Sequence, residues 1–352
     1  MAAEILLLAV ILLAVAGGIW MLADSARKKD RDTPFERTGY AMGSLVQQTV
    51  YPNTEEASQA AAAANTAIVS LENRISWRVE GSDVARINNA AGKSPVLIDQ
   101  SAAQLLETAL QAAKRSGGAY DPTILPLSLL WNFDGEEESF TPPERDLVEN
   151  ALPCVGFSAL SVNTGAGTAY LERESAALDL GGIGKGAACD SALAAYAGYK
   201  GVQGAVVAVG GSIGVYGTRP DGEPWRIGVR DPSGEQSEAL GVMTMDSGCV
   251  STSGIYEKGR EVDGVYYHHI VDARTGYPAD TELVSVTVVH ASGAVTDALA
   301  TACVVLGREG ALALLQEYGA QGILVDREQN VTVTSGLRDR FTLSNTRYHM
   351  AP

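Results

Sequence analysis

The chain predicts an α+β fold, with mixed or antiparallel sheets and packed helices. Apolar, β-branched runs recur at 204–209, 213–216, 225–230 and 283–290 and read as strands. Alanine-rich stretches with helical spacing cover 55–76 and 186–198, and a further helix is expected over 100–116. Long strand runs broken by helices suit an α+β body. No short-period repeat runs through them.

In chain order, residues 5–22, ILLLAVILLAVAGGIWML, carry no charge. They form about eighteen residues, just long enough to span a bilayer as a helix. The segment before them, Met-Ala-Ala-Glu, is not positive, and no cysteine follows for a lipid anchor. Residues 1–23 therefore read as a retained membrane anchor, with a cleaved secretory signal as the alternative. Arg27, Lys28, Lys29 and Arg31 follow the run and by the positive-inside rule favour a cytoplasmic body. Residues 24–37 are polar and read as a linker, 38–342 as the folded domain and 343–352 as a tail. Met42-Gly43 introduces a strand over 44–51. Glu136–Glu138 and Pro142-Pro143 read as a solvated acidic loop. A helix from Thr296 to about Leu306, another over 309–318 and a strand pair near 321–334 close the domain.

A chain of 352 residues can build one large domain or two smaller lobes. Its formal charge of -16 argues against nucleic-acid binding, which needs a basic surface. Cys154, Cys189, Cys249 and Cys303 form no C-x-x-C pair, which excludes zinc and thioredoxin-type spacings. Cys189 and Cys303 fall in apolar helical stretches, where buried free thiols are common.

Two segments about twenty residues apart carry the chemistry: H-H-I-V-D-A-R-T-G at 268–276 and T-D-A-L-A-T at 296–301. Asp297 and Thr301 stand at i and i+4, so their oxygens share one helix face. A carboxylate and a hydroxyl so placed suit a hard cation such as Mg²⁺, shared with phosphates. L-D-L-G-G-I-G-K-G at 178–186 looks like a phosphate loop without being a Walker A motif: Asp179 stands where its first Gly belongs and Gly186 follows Lys185. Lys185 would meet an anion at the following helix start. G-G-A-Y-D-P-T at 117–123 sets an aromatic and a carboxylate on a turn fixed by Pro122, or simply ends a helix. S-T-S-G at 251–254 reads by itself as a turn. His268 and His269 are adjacent, so in a strand they face opposite ways. His290 ends an apolar strand and reads as structural.

In this order the segments resemble the ApbE family, the FAD:protein FMN transferases, over roughly residues 38–340. Met42-Gly43, L-E-N-R-I-S-W at 71–77, S-D-V-A-R-I-N at 82–88, A-V-G-G at 208–211 and P-W-R-I-G-V-R-D-P at 224–232 complete the likeness. The resemblance implies a two-lobed flavin-binding body that cleaves FAD, releases AMP and joins FMN by a phosphoester to a Ser or Thr of a target protein. It implies Mg²⁺ held by Asp297, Thr301 and the Gly182 carbonyl. It implies FAD contacts at Met42, Trp77, Ala119, Tyr120, Asp121, Asp179, Lys185, Ile270 and Thr275. His269 matches the family's important histidine, with Asp272 as the rival base. The implied partner is a flavin-acceptor protein of a membrane redox system, and the implied location is extracytoplasmic, against the basic flank. A Mg²⁺-dependent FAD pyrophosphatase and a non-catalytic FAD-binding protein are the alternatives. Three departures stand out: Ser44 for a usual Thr, Ala273 for a usual Pro, which would loosen its turn, and Ser212 where Asp or Asn is usual.

Overall fold

The computed structural model describes residues 33–135, 140–235 and 237–351. The apolar run at 5–22 and Glu136–Glu138 lie outside the described residues. Strands β1 (Phe35–Ala41) and β2 (Ser44–Tyr51) form a hairpin. Its turn is Met42-Gly43, with φ of 57° and 64°. Such a two-residue turn requires φ > 0 at both positions, which is unusual for Met.

Helix α1 (Glu55–Ile75) is started by the Thr54 side chain, which accepts from the Ala57 N–H, and by Glu55 and Glu56 at its positive end. Ser82 and Asp99 cap α2 (Asp83–Asn89) and α3 (Gln100–Arg115) in the same way. The short strand β3 (Val96–Leu97) lies between them. Helices α4 (Leu125–Trp131) and α5 (Arg145–Ala151) follow, then β4 (Leu160–Asn163) and β5 (Thr168–Leu171), which pair with β3 in a small sheet. Next come α6 (Gly181–Ala197), β6 (Gly204–Val209), β7 (Ser212–Gly217), β8 (Trp225–Arg230), β9 (Ala239–Met245) and β10 (Gly248–Gly254). The hairpin β11 (Gly259–Val262) and β12 (Val265–His268) precedes β13 (Leu283–His290) and α7 (Gly293–Tyr318). Strands β14 (Gln321–Asp326), β15 (Asn330–Val333), β16 (Phe341–Leu343) and β17 (His349–Met350) end the chain.

The main sheet has nine strands in the order β1-β2-β6-β7-β10-β13-β14-β15-β17. Neighbours are antiparallel except β15 and β17. Helices α1, α6 and α7 cover one face, burying Ile68, Ile183, Ala188 and Leu299 against Val207, Val286 and Val288. The three-stranded sheet β16-β9-β8 covers the other face, where Trp225, Ile227 and Met243 meet Val215, Val250 and Ile323. This is the α+β arrangement expected. Strands alternate their faces, so β10 feeds Cys249 to the helix side and Val250 to the sheet side. A satellite cluster of Leu127, Trp131, Phe133 and Val148 joins α4 and α5 to Tyr267. Helix α7 is apolar enough to cross a membrane by length and composition, but most of it is buried in this core. It contains a break at Gly307 (φ 69°, ψ 177°), between the two helices expected at 296–306 and 309–318.

Several expected boundaries move. The linker's end and the domain's start at 38 fall inside β1, and residue 342 falls inside β16. S-T-S-G at 251–254 is the end of β10, not a turn. Residues 343–351 are not a loose tail. The Asp231 side chain is fully buried, and it accepts from Asn345 Nδ2 (2.7 Å), Arg347 (2.5 Å) and the Tyr348 hydroxyl (2.5 Å). Removing residues 344–352 leaves that carboxylate, among the described residues, with the Ser233 N–H alone. Stranding a buried charge should cost about 3 kcal/mol. Urea unfolding of the truncated protein checks this, and an unchanged midpoint would make the segment a tail after all.

Candidate active site

Two helix starts meet at the centre of the molecule. Helices α6 and α7 cross at Gly186 and Gly293 with backbone against backbone. A Cβ on Gly186 would lie 1.8 Å from the Gly293 oxygen, and one on Gly293 would lie 2.2 Å from the Gly186 oxygen. Each helix sends a carboxylate across the crossing. Asp190 of α6 accepts from the Gly293 N–H (2.6 Å), the Ala294 N–H (2.9 Å) and the Ser292 hydroxyl (3.1 Å), capping α7. Asp297 of α7 accepts from the Gly186 N–H at 3.0 Å. That N–H is the one an α-helix would give to the Gly182 carbonyl, so Asp297 competes with that carbonyl for the same donor.

Around this crossing the structure gathers Tyr120, Gly182, Asp297 and Thr301. A Cβ built on Gly182 would touch the Tyr120 ring at 3.2 Å and the Thr301 hydroxyl at 3.5 Å. Thr301 Oγ1 lies 3.4 Å from the Asp297 carbonyl and 3.3 Å from Ser253 Oγ. The Tyr120 hydroxyl is buried with no hydrogen-bond partner among the described residues. Burial, then the charges of Asp297, Asp179 and Asp121, push its phenol well up. The Asp297 carboxylate, the Thr301 hydroxyl and the Gly182 backbone form a small hard-oxygen donor set. That chemistry fits Mg²⁺. Among the described residues no three His, Cys, Asp or Glu side chains come together as a metal site, so Asp297 is the one carboxylate of this set.

The expected phosphate loop is helix. α6 begins at Gly181, so Lys185 lies on its first turns, with Nζ 3.2 Å from the Gly181 carbonyl it donates to. Gly184 and Gly186 serve packing: a Cβ on Gly184 would meet Met42 Cε at 2.8 Å. Asp179 precedes the helix and accepts from the Gly181 N–H at 2.8 Å. Burial lifts its carboxyl against that bond and against the charges of Arg78 and Lys185. Trp77 also holds a buried donor, Nε1–H, without a partner among the described residues, and Arg78 lies over its ring at 4.1 Å.

Other expected contacts have structural tasks. Asp121 accepts from the Thr123 N–H (2.8 Å), the Thr123 hydroxyl (2.6 Å) and the Phe157 N–H (2.7 Å), so its carboxylate is consumed by its own turn. Ala119 and Ile270 are buried in the main core. Thr275 is exposed on the turn that follows Asp272. The geometry of Asp272 also opposes a role as base. Both of its oxygens hold the Arg274 guanidinium at 2.8 Å, and Oδ1 accepts the Arg274 N–H at 2.9 Å. These bonds close the turn, and Ala273 in place of Pro does not loosen it.

The two histidines part as expected. His268 is buried and its Nε2–H donates to the Ala279 carbonyl at 3.0 Å, since a carbonyl can only accept. His269 follows the end of β12, half-buried, with Nδ1 3.3 Å from the Lys258 carbonyl. Burial, then the Lys258 charge, pulls His269 down to about 4. The Lys185 charge adds slightly to this.

Sequence reasoning missed Asp190, Ser253 and the bridge in which Asp134 joins Arg78 to Lys258. A lone acid in an alanine-rich helix reads as solvated, and serines before a glycine read as a turn. Neither had a signal that could reveal its partner. All four thiols are free, as expected for Cys189 and Cys303.

The sequence profile of the ApbE family matches residues 42–324. The chain is 31% identical over 354 residues to the FAD:protein FMN transferase of Treponema pallidum, covering 96% of each. It is 30% identical over 249 residues to the FAD:protein FMN transferase of Escherichia coli K12, covering 70% of this chain and 71% of that one. Among solved structures it is similar to the ApbE protein of Thermotoga maritima, with a TM-score of 0.79 and 30% identity over 86% of this chain and 98% of that one. It is also similar to the apo flavinyl transferase ApbE of Pseudomonas stutzeri, with a TM-score of 0.73 and 28% identity over 89% and 94%.

The buried imidazoles make a pH prediction. Burial pulls His268 from 6.5 down to about 4. Between those values the unfolded chain binds a proton that the folded chain refuses, so stability falls as pH drops from 6.5 to 4 and levels off below. For His268 the full loss is roughly 3 kcal/mol. Urea unfolding from pH 7 to pH 4 should show this slope, and His268→Gln should reduce it, leaving the share that His269 carries. An equal slope in the variant would assign the pH dependence to other groups.

Proposed function

The chain belongs to the ApbE family, and from this we infer that it is an FAD:protein FMN transferase. It transfers FMN from FAD to a hydroxyl of an acceptor protein and releases AMP. The observation that carries the reading on this chain is the Tyr120–Gly182–Asp297–Thr301 cluster at the crossing of two helix starts.

We propose that the reaction depends on Mg²⁺. Asp297, the Thr301 hydroxyl and the Gly182 carbonyl would hold it, and bound there it neutralises and polarises the FAD diphosphate. Phosphoryl transfer needs positioning and charge neutralisation more than covalent help. Lys185 adds a positive charge to the phosphate oxygens at the start of α6. Tyr120 and Trp77 bring two buried donors that lack partners among the described residues and suit an oxygen-rich ligand. His269 is proposed as the base. Its Nδ1–H donates to the Lys258 carbonyl, which leaves the Nε2 lone pair for the acceptor proton. Its depressed pKa keeps it neutral at pH 7. The acceptor oxygen then bonds to the FMN phosphorus while the bond from phosphorus to the AMP phosphate oxygen breaks. The acceptor proton passes to Nε2, and AMP leaves.

Incubation with FAD, Mg²⁺ and a flavin-acceptor protein, read by mass spectrometry, tests the function. Acceptor mass should rise by an FMN phosphoester with AMP released. FMN and AMP without acceptor labelling would mean a pyrophosphatase, and no turnover a storage protein. Asp297→Ala should abolish metal-dependent transfer. Because Asp297 is buried and bonded to the Gly186 N–H, the variant should also lose about 1–3 kcal/mol of stability. Metal-dependent transfer at the wild-type rate in Asp297→Ala would remove that residue from the site.

His269→Ala should lower kcat about 10²–10⁴-fold with little change in FAD affinity. His268→Ala should act through stability alone. Loss of transfer in His268→Ala but not His269→Ala would reverse the assignment.

We further propose that residues 1–23 anchor the protein with its body on the extracytoplasmic side, near a flavin-carrying acceptor of a membrane redox system. Support comes from the uncharged run at 5–22 and from the need to reach that acceptor. Amino-terminal sequencing of membrane-extracted protein should read the uncleaved start. A mature start near residues 24–30 would mean a cleaved signal.

A further inference from the structure

Strand β10 lies directly under the start of α7, and its helix-facing residues meet polar groups in succession. Cys249 Sγ lies 3.6 Å from Asp190 Oδ1. Ser251 Oγ lies 2.7 Å from Thr296 Oγ1 and 2.9 Å from Ser212 Oγ. Ser253 Oγ lies 3.3 Å from Thr301 Oγ1. The two-residue period of the strand sets this register. The second contact falls at Thr296, the residue before Asp297, and the third reaches Thr301 itself.

A threonine hydroxyl has one proton and two lone pairs. If Thr301 gives a lone pair to a cation, its proton must point elsewhere. Two acceptors are in reach. The Asp297 carbonyl, at 3.4 Å, is the one that a regular helix fills with the Thr301 N–H. Ser253 Oγ has no other side-chain partner among the described residues and lies across the strand–helix interface.

We propose that Ser253 is a positioning residue, taking the Thr301 hydroxyl proton so that the Thr301 lone pair faces the divalent cation. The inference rests on the metal site proposed above. Ser253 itself does not touch the cation, so its effect runs entirely through Thr301. Hydrogen-bond partners of metal ligands typically change affinity 10–100-fold when removed.

The test is Mn²⁺ binding to the full-length protein, followed by electron paramagnetic resonance with ADP present. ADP carries a diphosphate but no flavin to transfer, so binding is read without turnover. Ser253→Ala should weaken Mn²⁺ binding about 10–100-fold, and Ser253→Thr should stay within about threefold of wild type. Adding Ser253→Ala to Thr301→Ala should cause no further loss. If Ser253→Ala does not fold, the Ser253→Thr and Ser253→Val pair carries the comparison, because the two differ in the hydroxyl and share the β-branched shape. Wild-type binding in Ser253→Ala alongside a loss in Thr301→Ala would overturn the inference and keep the metal site. A full additional loss in the double variant would also overturn it, by making Ser253 act independently of Thr301. Wild-type binding in Thr301→Ala, or no Mn²⁺ binding by the wild-type protein, would overturn the metal site and the inference together.

Discussion

The contact between Gly186 and Gly293 is the constraint on which the rest of the site depends. Both Cβ positions are filled by the opposing backbone, so no other residue fits without parting α6 from α7. Close approach brings Asp190 to the α7 start and Asp297 to the Gly186 N–H, each across the interface. A wider crossing would strand two carboxylates in a poorly solvated interior, a costly outcome. The packing of two helices and the placing of the oxygens proposed to bind the metal are therefore one event. The nine-stranded sheet below supplies the floor, and β10 aligns its serines with α7 because strand and helix are fixed together.

Electrostatics at the site are one-sided. Asp121, Asp179 and Asp297 all bear on the buried Tyr120 hydroxyl. Asp121 discharges its demand on its own turn, whereas Asp297 has one backbone N–H and Asp179 another. The nearby cations are arranged differently. Lys185 lies on the first turns of α6, while Arg78 and Lys258 are bridged by the partly exposed Asp134. Exposed bridges of that kind are weak and exchange readily. A negatively charged substrate would thus meet basic groups that are only loosely occupied. His269 sits beyond Lys258, neutral because burial and that lysine both oppose its protonation.

The turn at Asp272 shows how a candidate base can also have a structural task. An acid three residues after a histidine is a natural candidate base. In the structure it grips Arg274 and its own turn, and Trp131 Nε1–H donates to the Gly276 carbonyl from the satellite cluster. Its work is to hold the loop that carries His268 and His269.

By itself the sequence determined the periodic parts of the protein. Strands 44–51, 204–209, 225–230 and 283–290 and the long alanine-rich helix after Thr54 emerge at nearly the expected residues, because alternation and helical spacing are local properties. The i, i+4 spacing of Asp297 and Thr301 is local too, and it placed their oxygens on one helix face before any fold was known. Only the tertiary structure decided which glycines turn and which pack: Gly184 and Gly186 lie inside a helix, pressed against Met42 and Gly293. Only it could show that Asp190 caps a helix 103 residues away, that residues 345–348 close over a buried Asp231, or that Ser253 faces Thr301. Those pairings depend on the distance between chain segments in space, and no spacing along the chain encodes it.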